Sequence, residues 1–184
     1  MKNVLMIVGS LRKRSFNRQL AGEVEALMAG RASVSYLDWT DLPLLNQDIE
    51  NPVPEAVARV RAEVQSCDGV WICSPEYNFN VPGGEKNLLD WLSRPQDPTD
   101  PASPSTAKGK VVAISGAGGR AATAGVRGKL NELLGFMGME IIGETGFGVA
   151  LTPEAWGSDV LSLTDEQRVE LGKLVDAFLG AIEE

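Results

Sequence analysis

The sequence predicts a three-layer α/β domain built on a five-stranded parallel sheet. Three observations predict it. Short apolar runs alternate with segments of helical spacing five times along the chain. Two of those runs, NVLMIV at 3–8 and GVWIC at 69–73, are apolar almost throughout, as strands covered on both faces are. A chain of 184 residues, 43% hydrophobic and 23% charged, suits one core that buries roughly 70% of the unfolded surface. Parallel strands joined by right-handed helical crossovers are the natural outcome.

The elements follow in order. Asn3 to Val8 is the first strand, and Gly9 ends it. Phe16, Leu20, Val24 and Leu27 set a helix over 16–28. Ser33 to Leu37 alternates as a second strand. Pro54 opens a helix through Val57, Val60 and Val64. Gly69 to Cys73 is the third strand, and Gly84 to Leu92 the next helix. Lys110 to Ser115 is the fourth strand. Val126, Leu130, Leu133, Leu134 and Met137 mark a fourth helix, and Glu140 to Thr145 a fifth strand. The last helix opens on a capping box, Thr164 with Gln167, and runs through Leu171, Leu174, Val175, Phe178 and Ile182. Pro95, Pro98, Pro101 and Pro104 recur every third residue and predict an extended surface loop within the one domain. Leu88, Leu89, Trp91 and Leu92 put more apolar bulk on one short helix than its sheet face should need, which points to a subunit contact.

Composition excludes several chemistries. The chain has no histidine, so Ser–His–Asp and Cys–His nucleophile systems, His-based zinc proteases and His-ligated haem are out. Cys67 and Cys73 lie alone, without the pairs of a zinc or iron–sulfur framework, and Cys73 reads as buried filler. No metal ligand set is expected. No apolar stretch approaches the ~20 residues of a membrane-crossing helix, and no secretory leader is evident, so a cytoplasmic protein without membrane insertion is expected. The net charge of −8 argues against a nucleic-acid partner. The charge is uneven, however. Lys2, Arg12, Lys13, Arg14 and Arg18 fall in the first 20 residues with no acid among them, which suggests a local anion site.

Ligands of open parallel sheets bind beyond the carboxyl ends of the strands, so three loops carry the functional reading. The first, Gly9 to Asn17, enters a helix whose N-terminal N–H groups and dipole favour an anion; Ser10, Ser15 and Asn17 add donors and Arg12 a planar fork suited to phosphate. No Gly-x-x-x-x-Gly-Lys-Ser/Thr occurs, which argues against a nucleoside triphosphatase. The second, Ser74 to Gly84, places Tyr77 and Phe79 where a plain turn would be polar, which suits packing against a flat ring, with Glu76 and Asn78 to read polar edges. The third, Ser115 to Ala121, holds three glycines that permit close backbone approach. Its Gly116-x-Gly118-x-x-Ala121 pattern fits a dinucleotide fingerprint but follows the fourth strand, too late to open a nucleotide-binding half.

Together, Gly9-Ser-Leu-Arg-Lys-Arg-Ser-Phe-Asn17, Ser74-Pro-Glu-Tyr-Asn78, Val81-Pro-Gly-Gly and Lys86-Asn-x-x-Asp-Trp91 resemble the NAD(P)H-dependent FMN reductase family, the flavodoxin-like group that includes soluble quinone, azo-dye and chromate reductases. The resemblance runs over nearly the whole chain, 1–184, as a single FMN-binding domain. It implies a flavodoxin-like sheet of order 2-1-3-4-5, non-covalent FMN, NADPH or NADH as co-substrate, and a homodimer or dimer of dimers. By motif position, Ser10, Arg12, Ser15, Phe16 and Asn17 would hold the FMN phosphate. Pro75, Glu76, Tyr77 and Asn78 would frame the isoalloxazine ring. The backbone of Ser115, Gly116, Ala117, Gly118 and Gly119 would line its other edge. Gly84 and Glu85 depart from the apolar residues of the family pattern; an acid so placed favours the helix dipole and is not read as catalytic. Hydride transfer would occur on the flavin, so no catalytic side chain is assigned. The implied function is ping-pong hydride transfer through FMN to a small acceptor such as a quinone, an azo compound or chromate. The alternatives are a flavodoxin-like one-electron carrier and a nucleotide-binding module without turnover.

Overall fold

The computed structural model describes residues 1–97 and 99–183. Strands β1 (Lys2–Val8), β2 (Ala32–Tyr36), β3 (Gly69–Cys73), β4 (Val111–Gly118) and β5 (Glu140–Ala150) form one parallel sheet of order β2-β1-β3-β4-β5. Helices α1 (Phe16–Met28), α2 (Glu55–Ser66), α3 (Gly83–Ser93), α4 (Ala124–Phe136), α5 (Pro153–Ser158) and α6 (Asp165–Glu183) accompany it. The expected three-layer, flavodoxin-like architecture is therefore the observed one.

The two sheet faces carry separate cores because strand side chains alternate. Val4, Met6, Trp71 and Ala113 face Leu20 and Val24 of α1 and Leu171, Val175 and Phe178 of α6. Leu5, Ile7, Val70, Ile72 and Ile114 face α2, α3 and α4 through Val60, Leu88, Leu92, Val126 and Leu130. The apolar bulk of α3 belongs to this second core. Leu88, Leu89, Trp91 and Leu92 are all buried within the chain, and the Trp91 indole N–H donates to the Pro43 carbonyl at 2.8 Å. The subunit contact expected from those four residues therefore has no free surface there. The predicted capping box of α6 is present: the Thr164 and Gln167 N–H groups each bond the other's side chain, at 2.9 and 3.2 Å. The proline-rich segment closes at its base, where Pro95 bridges Ser105; Pro98 lies outside the described residues.

The main difference from the sequence reading lies in β4 and β5. β4 continues to Gly118 and β5 to Ala150. Register first joins Val111–Ala113 to Glu140–Ile142, then resumes from Ser115 opposite Phe147. The residues 143–146 bulge out between the two stretches, with positive φ at Gly143, Glu144 and Gly146. Arg127 of α4 holds the bulge by donating to the Thr145 and Gly146 carbonyls, at 2.6 and 3.0 Å. Glycine is required at 146: φ is 67°, and a Cβ there would lie 2.0 Å from the Ile114 carbonyl oxygen. Gly146→Ala is expected to cost at least about 2 kcal/mol, read as a lower urea midpoint of the apoprotein; an unchanged midpoint would show the bulge to be dispensable.

Candidate functional site

β3 stops at Cys73, but its neighbour β4 runs on to Gly118. The extension leaves one edge of β4 without a strand partner, and α1 supplies one. The Asn17 side-chain amide donates to the Ala117 carbonyl at 2.9 Å, and its oxygen accepts the Ala117 N–H at 2.9 Å. Asn17 is buried, so it completes the sheet edge in the manner of a further strand residue. The pairing takes the amide oxygen and one of its two N–H donors; the second N–H is the one a phosphate at the cavity would use.

Between this edge and the loops after β1 and β3 lies a cavity of about 470 Å³, within the range of small-molecule and cofactor sites. It sits at the point where strand order reverses between β1 and β3. The loop after β1 and the start of α1 contribute Ser10, Arg12, Ser15, Phe16 and Asn17. The loop after β3 contributes Pro75, Glu76 and Tyr77, and the end of β4 contributes Ala117, Gly118 and Gly119. Asn78, Ser115 and Gly116 do not line it. Leu151, Trp156 and Asp159, which the sequence did not single out, do. A second cavity, on the β2 side of the first loop, shares Ser10 and Arg12 with the first but lies away from that reversal.

Each loop has its own local logic. Ser15 is the N-cap of α1, its hydroxyl accepting the Asn17 N–H at 3.1 Å. The start of α1, Ser15 to Asn17, lies at the cavity, and a helix start is the arrangement that receives anions. In the second loop, residues 77–80 form a tight turn closed by two bonds between Tyr77 and Asn80, with Asn78 and Phe79 both at positive φ. Asn78 is thus a turn residue. Tyr77 is 51% exposed, with its hydroxyl 3.5 Å from the Ser10 hydroxyl, and Phe79 is 75% exposed but outside the cavity. The Glu76 carboxylate accepts the Val126 N–H of α4 at 2.8 Å, satisfying an orphan donor of that helix. Its carboxylate therefore fixes the loop to α4.

The glycines of the third segment answer to packing. A Cβ on Gly116 would meet the Thr123 hydroxyl at 2.3 Å and the Ser74 carbonyl at 2.5 Å, and one on Gly118 would meet Thr123 at 2.8 Å; only at Gly119 is the space open. Ser115 lies inside the sheet, where it accepts the Trp71 indole N–H at 2.9 Å. Cys73 touches it at 3.2 Å, and burial pushes that thiol up to about 12, so it stays neutral filler as expected. Among the described residues no group of His, Cys, Asp or Glu is placed to hold a metal, and no helix is long and apolar enough to cross a membrane.

At the anion end, Arg12 already has a partner. Its two terminal nitrogens meet the Asp159 carboxylate at 2.9 and 2.7 Å, and Arg14 reaches the same carboxylate at 3.2 Å. Asp159 is held below the usual carboxylate range chiefly by the Arg12 hydrogen bond. Trp156 packs edge-on against Phe16, centroids 5.2 Å apart, and the Arg12 guanidinium lies 5.3 Å over the Phe16 ring.

A doubly wound α/β domain with a nucleotide-sized cleft at its strand-order reversal is the class that fold and site define. Residues 2–153 match the family model of NADPH-dependent FMN reductase, and the chain belongs to that family. An NAD(P)H-dependent FMN reductase of Pseudomonas aeruginosa is 33% identical over 167 residues, covering 90% of this chain and 86% of that protein. A quinone reductase of Escherichia coli is 40% identical over 97 residues; that match spans about half of each, 51% of this chain and 52% of the relative. The solved flavoenzyme NAD(P)H:(acceptor) oxidoreductase of Paracoccus denitrificans superposes with a TM-score of 0.84 at 34% identity, covering 100% of this chain and 98% of that one.

Removing the Asn17 amide strands two buried backbone groups of Ala117. Asn17→Ala is expected to destabilise the apoprotein by about 2–4 kcal/mol in urea unfolding. A variant that folds as stably as the wild type and only binds ligand less well would show that the amide serves the ligand and not the sheet edge.

Proposed function

We propose that the chain is an NAD(P)H-dependent FMN oxidoreductase that passes reducing equivalents to a small acceptor such as a quinone. The observation that carries this reading is the cleft at the β1/β3 reversal, lined by the anion-ready start of α1 and by exposed Tyr77, whose hydroxyl lies 3.5 Å from that of Ser10. Family membership and the full-length likeness to a flavoenzyme oxidoreductase support it. FMN would supply the hydride chemistry. The residues present fit it: the α1 N-terminus, Ser10 and Arg12 suit the phosphate, and Pro75, Tyr77 and the Ala117–Gly119 backbone suit a flat ring. Glu76 supports the ring-side loop from behind, through Val126. Anaerobic addition of NADPH to the FMN-loaded protein is expected to bleach the yellow colour rapidly. Absence of bleaching with either pyridine nucleotide would favour a one-electron carrier.

Arg12 is the proposed phosphate partner, and Asp159 is the anion that occupies its fork before the phosphate arrives. The two compete. Arg12→Ala should weaken FMN about tenfold and leave riboflavin nearly unchanged. Asp159→Asn should strengthen FMN about two- to fivefold, the modest scale of an exposed ion pair. Weaker FMN binding by Asp159→Asn in a calorimetric titration would show instead that Asp159 orients Arg12 for the phosphate.

Self-association is also proposed, on a different surface from α3. Leu11, Tyr77 and Phe79 on loops and Trp156 on α5 are exposed apolar residues at the same carboxyl end of the sheet. A cytoplasmic setting is supported by two buried cysteines that remain free thiols.

A further inference from the structure

Glu85 stands at the third position of α3 and is fully buried, with 0% of its surface exposed. An acid that served the helix dipole alone would keep its carboxylate in water. This one points inward. Its Oε2 lies 2.6 Å from the Ser74 hydroxyl oxygen, and its Oε1 has no hydrogen-bond partner. A Cβ on Gly9 would fall 1.9 Å from Oε2 and 3.2 Å from the Pro75 ring. The carboxyl group therefore fills the space beside Gly9, where a side chain would otherwise stand. It touches the first residue after β1 and the first residue after β3, the origins of the two loops that face each other across the cleft.

The hydrogen-bond count favours the neutral acid. The Ser74 hydroxyl is 2.6 Å from Glu85 Oε2 and 3.1 Å from the Pro75 carbonyl oxygen, and it has one proton to give. With Glu85 ionised, that proton is drawn to the carboxylate, the Pro75 carbonyl loses it, and Oε1 is left a bare buried anion. With Glu85 protonated, the acid O–H donates to Ser74, and Ser74 donates to Pro75. Every proton is then placed. Burial raises the Glu85 pKa to about 7, against the opposing pull of the Ser74 hydrogen bond. The ionisable group that faces it from β3 is Cys73, itself neutral; on its own helix Lys86 and Asp90 pair with each other at the surface; Gly9 brings no charge from β1, and Trp39 is the side chain packed on Gly84.

We propose that Glu85 is a positioning residue of the FMN site: as a neutral acid it fastens the ring-side loop, through Ser74 and Pro75, against Gly9 at the root of the phosphate-side loop, and loss of its proton loosens FMN. This rests on the proposed function for the identity of the ligand, but not for the state of the acid. An ionised carboxylate in that position draws water between the two loop roots. FMN, itself an anion, then binds a site that has gained a negative charge beneath it.

The sign for the protein alone follows from the raised pKa. Between the ordinary value of 4.5 and about 7, the unfolded chain has released a proton that the folded chain retains, so stability falls as pH rises through that window. Glu85→Gln, which keeps the shape and a neutral donor toward Ser74, removes that slope.

The test has two readouts. On the apoprotein, infrared difference spectra of wild type against Glu85→Gln are expected to show a protonated-carboxyl band at about pH 6 that fades on passing through neutrality. On the FMN-loaded protein, wild-type affinity is expected to fall about tenfold from about pH 6.5 to about pH 8.5 relative to Glu85→Gln, the effect of one pKa unit of coupling. The phosphate's own second ionisation acts equally on both proteins and cancels in the comparison. Ser74→Ala keeps the acid but breaks the relay: the infrared band should remain, shifted, while FMN affinity drops and loses its pH slope. Absence of the band at about pH 6 overturns the neutral acid. Parallel FMN curves for wild type and Glu85→Gln overturn its positioning role. Failure of both proteins to bind FMN at any pH overturns the proposed function and the FMN half of this proposal, and the apoprotein spectrum distinguishes that from an error about Glu85.

Discussion

The site depends on one inequality of length: β4 outruns β3. A strand edge beyond its neighbour presents N–H and C=O groups that water or another chain would otherwise take. Here Asn17, 100 residues away in sequence, closes it with two bonds. That pair sets the height of α1 relative to the sheet, and so places the anion-receiving helix start beside the β4 backbone. The β5 bulge serves the same end. By absorbing residues 143–146 it lets Phe147–Ala150 pair with Ser115–Gly118 and hold the extension from its other side.

With the edge so fixed, many polar groups near the cleft are already engaged before any ligand arrives. The Glu76 carboxylate is engaged by α4, the Asn17 amide oxygen and one N–H by β4, and the Ser15 oxygen by its own helix. What these leave at the cleft is backbone, the Ser10 hydroxyl, the Ser15 O–H, the second Asn17 N–H, the exposed Tyr77 ring and the Arg12–Asp159 pair. A rigid wall of backbone with few free charges suits a cofactor that carries its own reactivity, because the protein's part is placement. The element open to exchange is the part-exposed Arg12–Asp159 pair, whose mutual attraction is weak enough for a phosphate to displace.

The fold was legible because its strongest signals are one-dimensional. Runs such as GVWIC, and the spacing of Leu171, Val175 and Phe178, report burial directly. The ends of β4 and β5 were not legible. Ser115-Gly116-Ala117-Gly118 lacks the branched residues of a strand, and nothing in it announced that Gly116 and Gly118 also make room for Thr123. The eleven predicted residues that meet at the cleft were found from loop position and motif, but their individual bonds join elements far apart in sequence. Asn17 could not declare a partner at 117, nor Glu76 one at 126. Glu85 did carry a signal. It precedes Leu88, Leu89 and Leu92 by three, four and seven positions, which puts it on the buried stripe of α3, and that spacing outweighs the dipole argument. Asp159 offered none: it follows a short helix in a left-handed backbone position and reaches Arg12 only in the folded chain.

The central claim is that Asn17 acts as the missing strand partner of β4. Native-state hydrogen exchange of the Ala117 N–H tests it most directly. In the wild-type apoprotein that amide should exchange nearly as slowly as the β3-paired core amides of β4, through global unfolding. In Asn17→Ala it should exchange through local opening, far faster than those core amides. Rapid exchange of Ala117 in the wild type, or protection that survives the substitution, would contradict the account.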